Sequence, residues 1–444
     1  MKTKIISTAI CAAITSMFAG NVLATNGYSP HGFGAKQKAM GGAGVAVAND
    51  SMSVATNPAL AVDIDERMDL GLALFSPKRS YTANNNGTPG YPTFEAGEFK
   101  SGKEYFPVPH IGYNHVLDRN SAIGIAVGGN GGMNTEYSNA VFAAFNPRFP
   151  AGHPDAGQLI PGMPNATAPA GVDLKQLFVG FNYARRINEK HSIGIMPVVA
   201  VQTFKAYGLE PFMGVSTSPG NVTGRGTDTS YGGGLRIGWH GKLNDRLSVG
   251  LSYQSRLWMS KFDKYEGLFA EGGDFDIPST VALGLNFQVT PKVMFAMDYQ
   301  HVRYSEVNSI GNGHNVPMAD ANGMPRTVLG TDEGIGFGWE DMNIIKLGVA
   351  WDFRPDMTFR AGASFANQIV PTDQGLFNIL APAVIRDHWT LGLTKQIDKN
   401  NEVNFAFAYM PEEKVCGTNV NTGSQSGCIQ MDQFELEVSW GLRF

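Results

Sequence analysis

The chain has 444 residues, of which 43% are hydrophobic and 16% charged, and its formal net charge is −5. This balance excludes a disordered chain and argues against a nucleic-acid partner, which needs a strong positive excess. Outside the N-terminus no apolar run is long enough for a membrane-spanning helix.

The N-terminus has the pattern of a secretory signal peptide. Lys2 and Lys4 precede an apolar run over residues 5–18, and Val22 and Ala24 occupy the −3 and −1 positions of a cleavage site. The pattern predicts a signal peptide over residues 1–24, rather than a retained anchor helix, and export from the cytoplasm.

Two cysteines follow the predicted signal, Cys416 and Cys428, both in a polar stretch rich in Gly, Asn and Ser. An oxidising compartment favours a disulfide between them, which we expect within the last outer loop. Free thiols and a metal site are the alternatives, although no His lies between the two cysteines.

The rest of the chain alternates apolar and polar residues with a period of two. Residues 433–444 are the clearest case, and residues 281–289, 293–299 and 403–409 repeat the pattern. Such alternation predicts strands with one apolar face, which is the core of a soluble sandwich or the lipid-facing side of a membrane barrel.

Loop lengths favour the membrane barrel. Short polar turns near residues 118–120, 188–190, 244–246, 290–292, 354–356 and 398–400 alternate with long connections rich in Gly, Pro and Asn, such as residues 76–103, 137–171, 308–338 and 411–430. Strict alternation of this kind is typical of outer-membrane barrels. We therefore predict an all-β fold, a transmembrane antiparallel β-barrel of about fourteen strands over residues 67–444.

Residues 25–66 show no strand alternation but contain apolar residues that need burial, and a wide barrel lumen offers room for a plug. The run NGYSPHGFGAKQKAMGGAGVAVAND, followed by Asn57, Pro58 and Ala59, resembles the N-terminal hatch of the FadL (OmpP1/FadL/TodX-like) family. These are outer-membrane transporters of long-chain fatty acids and aromatic hydrocarbons in Gram-negative bacteria. The resemblance continues in residues 276–304, 339–371 and 386–411.

This resemblance implies a fourteen-stranded barrel plugged by a hatch over residues 25–66, with substrate leaving sideways into the membrane. It implies uptake of a hydrophobic small molecule, with long-chain fatty acids as the first hypothesis and uncharged hydrocarbons as the alternative. A general porin is a further alternative. The implied partners are outer-membrane lipid, lipopolysaccharide and the barrel assembly machinery, and the implied state is a monomer.

The third predicted strand contains a run of glycines. Gly128, Gly129, Gly131 and Gly132 lie in a strand expected over residues 121–136. Strand glycines weaken a ladder and permit a bulge. They are either a tolerated flexible stretch against the hatch or an inward kink that opens a lateral gap, as the resemblance implies.

Residue parity places Arg236 and Lys346 on the inner face, where they are candidates to bind a carboxylate, although inner charges also pair with each other or with a hatch. Glu340 and Asp341 stand where fatty-acid members carry a basic residue, which favours uncharged substrates. Candidate capture residues in the outer loops are Phe142, Phe145, Phe212 and Phe269.

No catalytic motif is present. The sequence lacks G-x-S-x-G, H-E-x-x-H, P-loop and CxxC patterns, and its nine His are scattered. We therefore predict a non-enzymatic protein without a metal or another cofactor.

Overall fold

The computed structural model describes residues 26–149 and 152–444, so the predicted signal peptide lies outside the described residues. Fourteen strands form the barrel. They are β1 (Arg67–Ala83), β2 (Phe106–Asp118), β3 (Ser121–Tyr137), β4 (Ala170–Arg186), β5 (His191–Tyr207), β6 (Asp228–Lys242), β7 (Leu247–Gln254), β8 (Thr280–Thr290), β9 (Val293–Val302), β10 (Met342–Arg354), β11 (Met357–Ala366), β12 (Asp387–Gln396), β13 (Asn401–Thr418) and β14 (Ser426–Arg443).

Each strand pairs antiparallel with its neighbours in the chain, and β14 pairs with β1 along its whole length, from Arg67↔Arg443 to Ala83↔Gly427. The sheet is therefore closed. Two short strands, Gly97–Lys100 and Trp258–Met259, add to β1 and β6 at the end where the long loops lie. The predicted all-β barrel of about fourteen strands is confirmed.

The two faces of the barrel are inverted relative to those of a soluble protein. On β14, Leu436 and Val438 are 49% and 47% exposed, whereas Glu435 and Glu437 are buried. Water would disfavour this arrangement, but a lipid bilayer favours apolar side chains on the outer face. The alternation is therefore that of a membrane barrel and not of a sandwich.

The short turns lie where the sequence predicts them, but the last outer loop is shorter than predicted. β13 and β14 extend beyond Pro411 and leave only residues 419–425 between them. Cys416 and Cys428 are directly paired residues of this extended ladder, with their sulfur atoms 2.07 Å apart. The expectation that they lie in the loop was wrong, because the hairpin continues past the lipid-facing alternation.

Within residues 26–149 and 152–444, helical structure is confined to short turns. The α-helical ones are α1 (Ala35–Lys38), α2 (Ala270–Gly273), α3 (Asn308–Gly311) and α4 (Gly375–Asn378), and the 3-10 turns are Ser51–Ala55, Pro58–Asp63, Val141–Phe145, Glu210–Val215, Pro219–Asn221, Asp263–Tyr265, Tyr304–Glu306 and Val420–Thr422. In the described part of the chain, no helix has the length and apolar character that a membrane span requires.

Residues 26–66, named here the lumen segment, lie inside the barrel. Met40, Met52 and Leu60 are fully buried against the wall, and few residues of the segment reach solvent. The segment contains α1 and two of the 3-10 turns. Its position agrees with the predicted plug, and its action as a hatch stays a prediction.

Glycines on the inner face make room for the lumen segment. A Cβ added at Gly238 would lie 2.0 Å from Asn57, and one at Gly362 would lie 2.1 Å from the backbone of Gly41. The same close approach occurs at Gly112, Gly194, Gly250, Gly284, Gly348 and Gly392. Glycine-lined contacts on eight strands therefore hold the segment at backbone distance from the wall.

Candidate functional site

A cavity of about 70 Å³ lies between the lumen segment and the wall. The lumen segment contributes Ser29, Pro30, Gly32, Phe33, Gln37, Gly42, Val45, Ala55 and Thr56, and the wall and loops contribute Asn130, Arg236, Ser252, Gln254, Ile277, Pro278, Thr280, Ala282, Asp298, Gln300 and Lys346. An engineered cavity that accepts benzene measures about 150 Å³, so this one is too small for a hydrocarbon in the present conformation.

Arg236, on β6, is a buried cation in the wall of this cavity. Its Nη2 donates a hydrogen bond to Gln254, and its guanidinium lies 5.7 Å from the centre of the Phe33 ring. Its Nη1 is buried without a hydrogen-bond partner, and no carboxylate in the described residues lies within 4 Å of it. Because burying an unpaired charge is costly, this guanidinium is poised for an anion.

Lys346, the second predicted basic residue, reaches the same cavity from β10 but is already engaged. Its Nζ donates to the carbonyl of His31 at 2.9 Å. Asp298, its direct ladder partner on β9, accepts the backbone N–H groups of Gly44 and Val45 at 2.7 and 3.0 Å. The two side chains therefore hold the lumen segment, and Lys346 is less free than Arg236 to bind a ligand.

Glu340 and Asp341 lie away from the cavity. Glu340 is exposed, and Asp341 accepts a hydrogen bond from the backbone of Ser305 at 3.0 Å. Neither residue lines the cavity. Glu340 and Asp341 therefore do not disfavour a carboxylate ligand in the cavity, because the residue that reaches it from this part of the chain is the cation Lys346.

The predicted aromatic residues form a cluster beneath the outer loops, separate from the two cations. The Phe142 and Phe145 rings each lie 5.3 Å from the Phe212 ring, and Phe269 packs 4.6 Å from Phe204. Phe142, Phe212 and Phe269 are buried.

Phe145 also lines a surface groove of about 770 Å³, here called the outer-loop groove. Its apolar lining includes Tyr91, Pro92, Val215, Pro317 and Met318.

The barrel wall is interrupted between β2 and β3. Their ladder ends at Ile111↔Val127, and β3 then shifts its register with β4 between Gly129 and Gly131. Residues 106–110 and 128–135 have no ladder pairs with each other, and this interruption is named here the β2–β3 window. At the outer-loop end of the strands, the window is bounded by the bridge between Ser101 and Tyr137.

The glycine run brings the window against the lumen segment. A Cβ at Gly131 would lie 2.2 Å from the carbonyl oxygen of Tyr28, and the Gly132 N–H donates to that oxygen at 3.1 Å. Asn130, at the register shift, also lines the cavity. Cavity and window therefore adjoin, with the segment around Tyr28 between them.

The predicted motif Asn57, Pro58 and Ala59 fixes the lumen segment to itself and to the wall. The Asn57 amide donates to the carbonyls of Val45 and Trp239 at 2.8 and 3.0 Å. Its oxygen accepts the Ala59 N–H at 3.1 Å and caps the turn that begins at Pro58. A role for the motif in transport stays a prediction.

Ion pairs join the lumen segment to the closing seam of the barrel. Lys38 pairs with Glu435 and, at 2.7 Å, with Glu437, while Lys36 pairs with Glu402. Burial favours the neutral form of Lys38, but the two glutamates outweigh it and raise its pKa. The lysine therefore stays charged inside the barrel.

The end of the lumen segment carries a second ionic contact. Burial opposes the charge on Asp63, but hydrogen bonds from His240, Lys242 and Arg186 lower its pKa below the ordinary value. At Asp50, burial and then the neighbouring Asp69 raise the pKa to about 6. Contacts with wall residues of opposite charge therefore hold the segment at Lys36, Lys38 and Asp63, whereas Asp50 lies beside a wall residue of like charge.

The model of one protein family, described as "Outer membrane protein transport protein (OMPP1/FadL/TodX)", matches residues 164–439, more than half of the chain. The chain belongs to this family.

Solved structures share the fold of this FadL-family chain. The Pseudomonas putida toluene transporter TodX is 18% identical, with 95% of this chain and 100% of that chain covered and a TM-score of 0.63. A Pseudomonas aeruginosa FadL homologue is 14% identical (94% and 100% covered, TM-score 0.64). The Ralstonia pickettii toluene transporter TbuX is 16% identical (93% and 99% covered, TM-score 0.58). No curated protein sequence matches the chain.

Membership defines the broad function. This FadL-family protein is an outer-membrane barrel that transports hydrophobic substrates. Its family consists of transporters rather than enzymes. The described residues contain no group of three or more His, Cys, Asp or Glu residues arranged to hold a metal ion.

Sequence reasoning missed the ionic contacts of this FadL-family barrel. Lys36 and Lys38 lie in a stretch without strand periodicity, and nothing in the order of residues couples them to Glu402, Glu435 and Glu437 about 400 positions later. One signal was available. Glu435 and Glu437 are carboxylates at inward parity on the last strand, and such buried acids require partners.

Proposed function

We propose that this FadL-family protein takes up long-chain fatty acids. The acid binds first at the outer-loop groove, passes through the cavity beside Arg236 and leaves sideways through the β2–β3 window. Two features support the route. The groove has a largely apolar lining with Asp320, Arg326 and Asn421 as its polar members, and Asn130 belongs to both the cavity wall and the window.

One observation favours a carboxylate substrate over a neutral one, and it is the state of Arg236. The side chain is buried, lacks an ion-pair partner among the described residues and has an unpaired Nη1 in the cavity wall. An uncharged hydrocarbon in the cavity would leave the guanidinium unpaired and desolvated, which is unfavourable in free energy. A fatty-acid carboxylate pairs with it, in a charge-assisted hydrogen bond.

The size of the cavity implies that the lumen segment moves during transport. At about 70 Å³ the cavity is too small for an acyl chain. Ser29, Pro30 and Phe33 form part of its lining, and the neighbouring Tyr28 carbonyl closes the way to the window. We infer that displacement of residues 28–33 joins cavity and window, whereas the ionic contacts of Lys36 and Lys38 hold the rest in place.

Uptake of uncharged aromatic hydrocarbons is the second candidate. It is favoured by the toluene transporters among the similar structures, although identities of 16–18% extend the fold and not the substrate to this chain. A general porin is disfavoured, because the lumen segment fills the barrel. The predicted contacts with lipopolysaccharide and the assembly machinery, and the monomeric state, stay predictions.

Equilibrium binding of oleate and of uncharged oleyl alcohol to the purified protein tests the proposal. Arg236→Gln should weaken oleate binding about tenfold, the loss of one charge-assisted bond, and leave oleyl alcohol binding unchanged. Arg360→Gln is the matched control, since Arg360 is a buried lumen arginine that donates to Thr394 and does not line the cavity. Equal binding of both ligands by the wild type, with tight binding of toluene, would favour the hydrocarbon candidate instead.

A further inference from the structure

A second buried arginine lies at the upper edge of the β2–β3 window. Arg79, on β1, is only 7% exposed and faces the lumen. Its backbone carbonyl accepts the Ser101 N–H at 2.9 Å, and its Nη2 donates to the carbonyl of Lys103. Since the bridge between Ser101 and Tyr137 closes the window above, the Arg79 side chain lies at that edge.

Arg79 lacks a partner for its charge. No carboxylate among the described residues lies within 4 Å of it, and its Nε is buried without a hydrogen-bond partner. Glu104 is the carboxylate that interacts with it electrostatically, at longer range. An arginine kept only for packing would be replaced at lower free-energy cost by an apolar residue of similar volume. Arg360 shares a buried, unpaired Nε and has no carboxylate within 4 Å among the described residues, so what distinguishes Arg79 is its place at the edge of the β2–β3 window.

The surroundings of Arg79 are apolar and continue along the window. Its guanidinium lies 5.4 Å from the centre of the Phe106 ring, on the first residue of β2. Phe106 packs with Val108, Ala73 and Phe75 in a buried cluster on the lumen side of β1 and β2. One cation above a strip of apolar side chains is complementary to an amphiphile with one carboxylate and one long tail.

The position of Arg79 along the membrane normal matches the level at which the head group of such a molecule would lie in the bilayer. Twelve residues separate Arg79 from Arg67 at the turn end of β1, which is roughly 40 Å along the strand and about 28 Å along the membrane normal at a tilt of 45°. The hydrocarbon layer is about 30 Å thick, so Arg79 lies near its outer boundary. A carboxylate belongs at this level, while its tail belongs in the hydrocarbon below.

We propose that Arg79 is a second carboxylate-binding site, which takes the fatty-acid head group after Arg236 and holds it while the tail leaves through the β2–β3 window. The proposal rests on fatty-acid uptake as the function. It assigns the two arginines different steps, because Arg236 lines the closed cavity and Arg79 lies at the exit. Arg236 therefore governs affinity, and Arg79 governs the rate of release into the membrane.

The test compares oleate with oleyl alcohol in outer-membrane vesicles loaded with albumin as an acceptor. In Arg79→Gln, initial oleate uptake should fall about tenfold, while oleyl alcohol uptake and equilibrium oleate binding stay at wild-type values. Arg79→Lys, which keeps the charge, should restore most of the oleate uptake. Arg360→Gln should behave as the wild type. Heat-modifiable gel mobility reports barrel folding in each variant.

Two results would overturn the inference. One is wild-type oleate uptake in folded Arg79→Gln, and the other is an equal loss of oleate and oleyl alcohol uptake, which indicates a purely structural residue. Failure of fatty-acid uptake itself has a different pattern. In that case the wild type does not distinguish the two probes, and Arg236→Gln leaves oleate binding unchanged.

Discussion

Single polar residues inside the barrel decide how the lumen segment is held. Asn57 satisfies two carbonyls on different elements, Val45 in the lumen segment and Trp239 on β6, and accepts the Ala59 N–H as well. Asparagine side chains commonly form hydrogen bonds with nearby backbone groups, so the bonds to Val45 and Ala59 are of an ordinary kind. The bond to Trp239 was beyond prediction, because it joins groups 182 positions apart.

Replacing Asn57 by Ala should loosen the lumen segment without harming the barrel. Two buried carbonyls and one N–H would lose their partner, which costs roughly 1–3 kcal/mol per unsatisfied group. We expect reduced uptake at normal surface levels. Asn182→Ala is the matched control, since both polar atoms of this buried wall asparagine lack hydrogen-bond partners. Uptake of Asn57→Ala at the level of the Asn182→Ala control would contradict a role for the motif.

The candidate site shows what parity can and cannot predict at the residue scale. Parity correctly places Arg236 and Lys346 on the inner face, and both line one cavity. It cannot tell that Lys346 is engaged by the His31 carbonyl while Arg236 keeps an unpaired Nη1. The alternation tells on which side of the barrel wall a side chain lies. Which group it contacts there depends on the path that residues 26–66 take through the lumen.

At the scale of strands, the sequence predicts the turns better than the long loops. Lipid-facing alternation defines a strand only within the membrane, and beyond it polar hairpins resemble loops. β13 and β14 therefore continue to Thr418 and from Ser426, where a loop was predicted from residue 411. The register shift between Met410 and Glu413 lies close to the change in pattern.

The glycine run in β3 has a steric role that the sequence alone does not reveal. β-Branched or larger residues ordinarily strengthen a strand. Here a Cβ at Gly131 would lie 2.2 Å from the Tyr28 carbonyl oxygen, whereas one at Gly128 would approach its nearest atoms only to 3.7 Å. The two glycines therefore provide a matched pair.

We predict that Gly131→Ala destabilises the protein by roughly 1–3 kcal/mol, because the methyl group overpacks the contact with the lumen segment. Uptake of a hydrophobic substrate should also fall, since the added group narrows the inner side of the window. Gly128→Ala should remain close to wild type in both measurements. Thermal unfolding together with uptake in outer-membrane vesicles provides the check. Equal behaviour of the two variants would argue against the β2–β3 window as the exit.

At the scale of the whole molecule, the barrel is built around its lumen segment. Inward glycines on eight strands admit the segment at backbone distance, Gly238 and Gly362 among them. These inward glycines, here called the glycine belt, could have been predicted from the sequence, because glycine recurs at inward-facing positions of many strands. The amino-acid composition alone shows only an excess of glycine. The ion pairs of Lys36 and Lys38 with β13 and β14 could not be predicted, because the alternation of apolar and polar residues does not show which strand faces α1.

The last prediction concerns what keeps the barrel closed to ions. Lys38 is buried between Glu435 and Glu437 of β14. Lys38→Met removes the only cation among the described residues that forms an ion pair with Glu435, and leaves two buried carboxylates two positions apart on one strand. Breaking a buried pair in this way costs about 3–5 kcal/mol. The lumen segment should detach from the seam, while the hydrogen-bonded barrel stays folded. In single-channel recordings, we therefore expect the ion conductance to rise from nearly zero in the wild type to a steady value in Lys38→Met.

The triple variant Lys38→Met, Glu435→Gln and Glu437→Gln removes the repulsion between the two carboxylates and should bring the conductance most of the way back to the wild-type level. Lys100→Met, at an exposed pair with Glu98, should leave the recording unchanged. A silent Lys38→Met barrel with normal folding would mean that packing against the glycine belt suffices to hold the segment without the ion pairs.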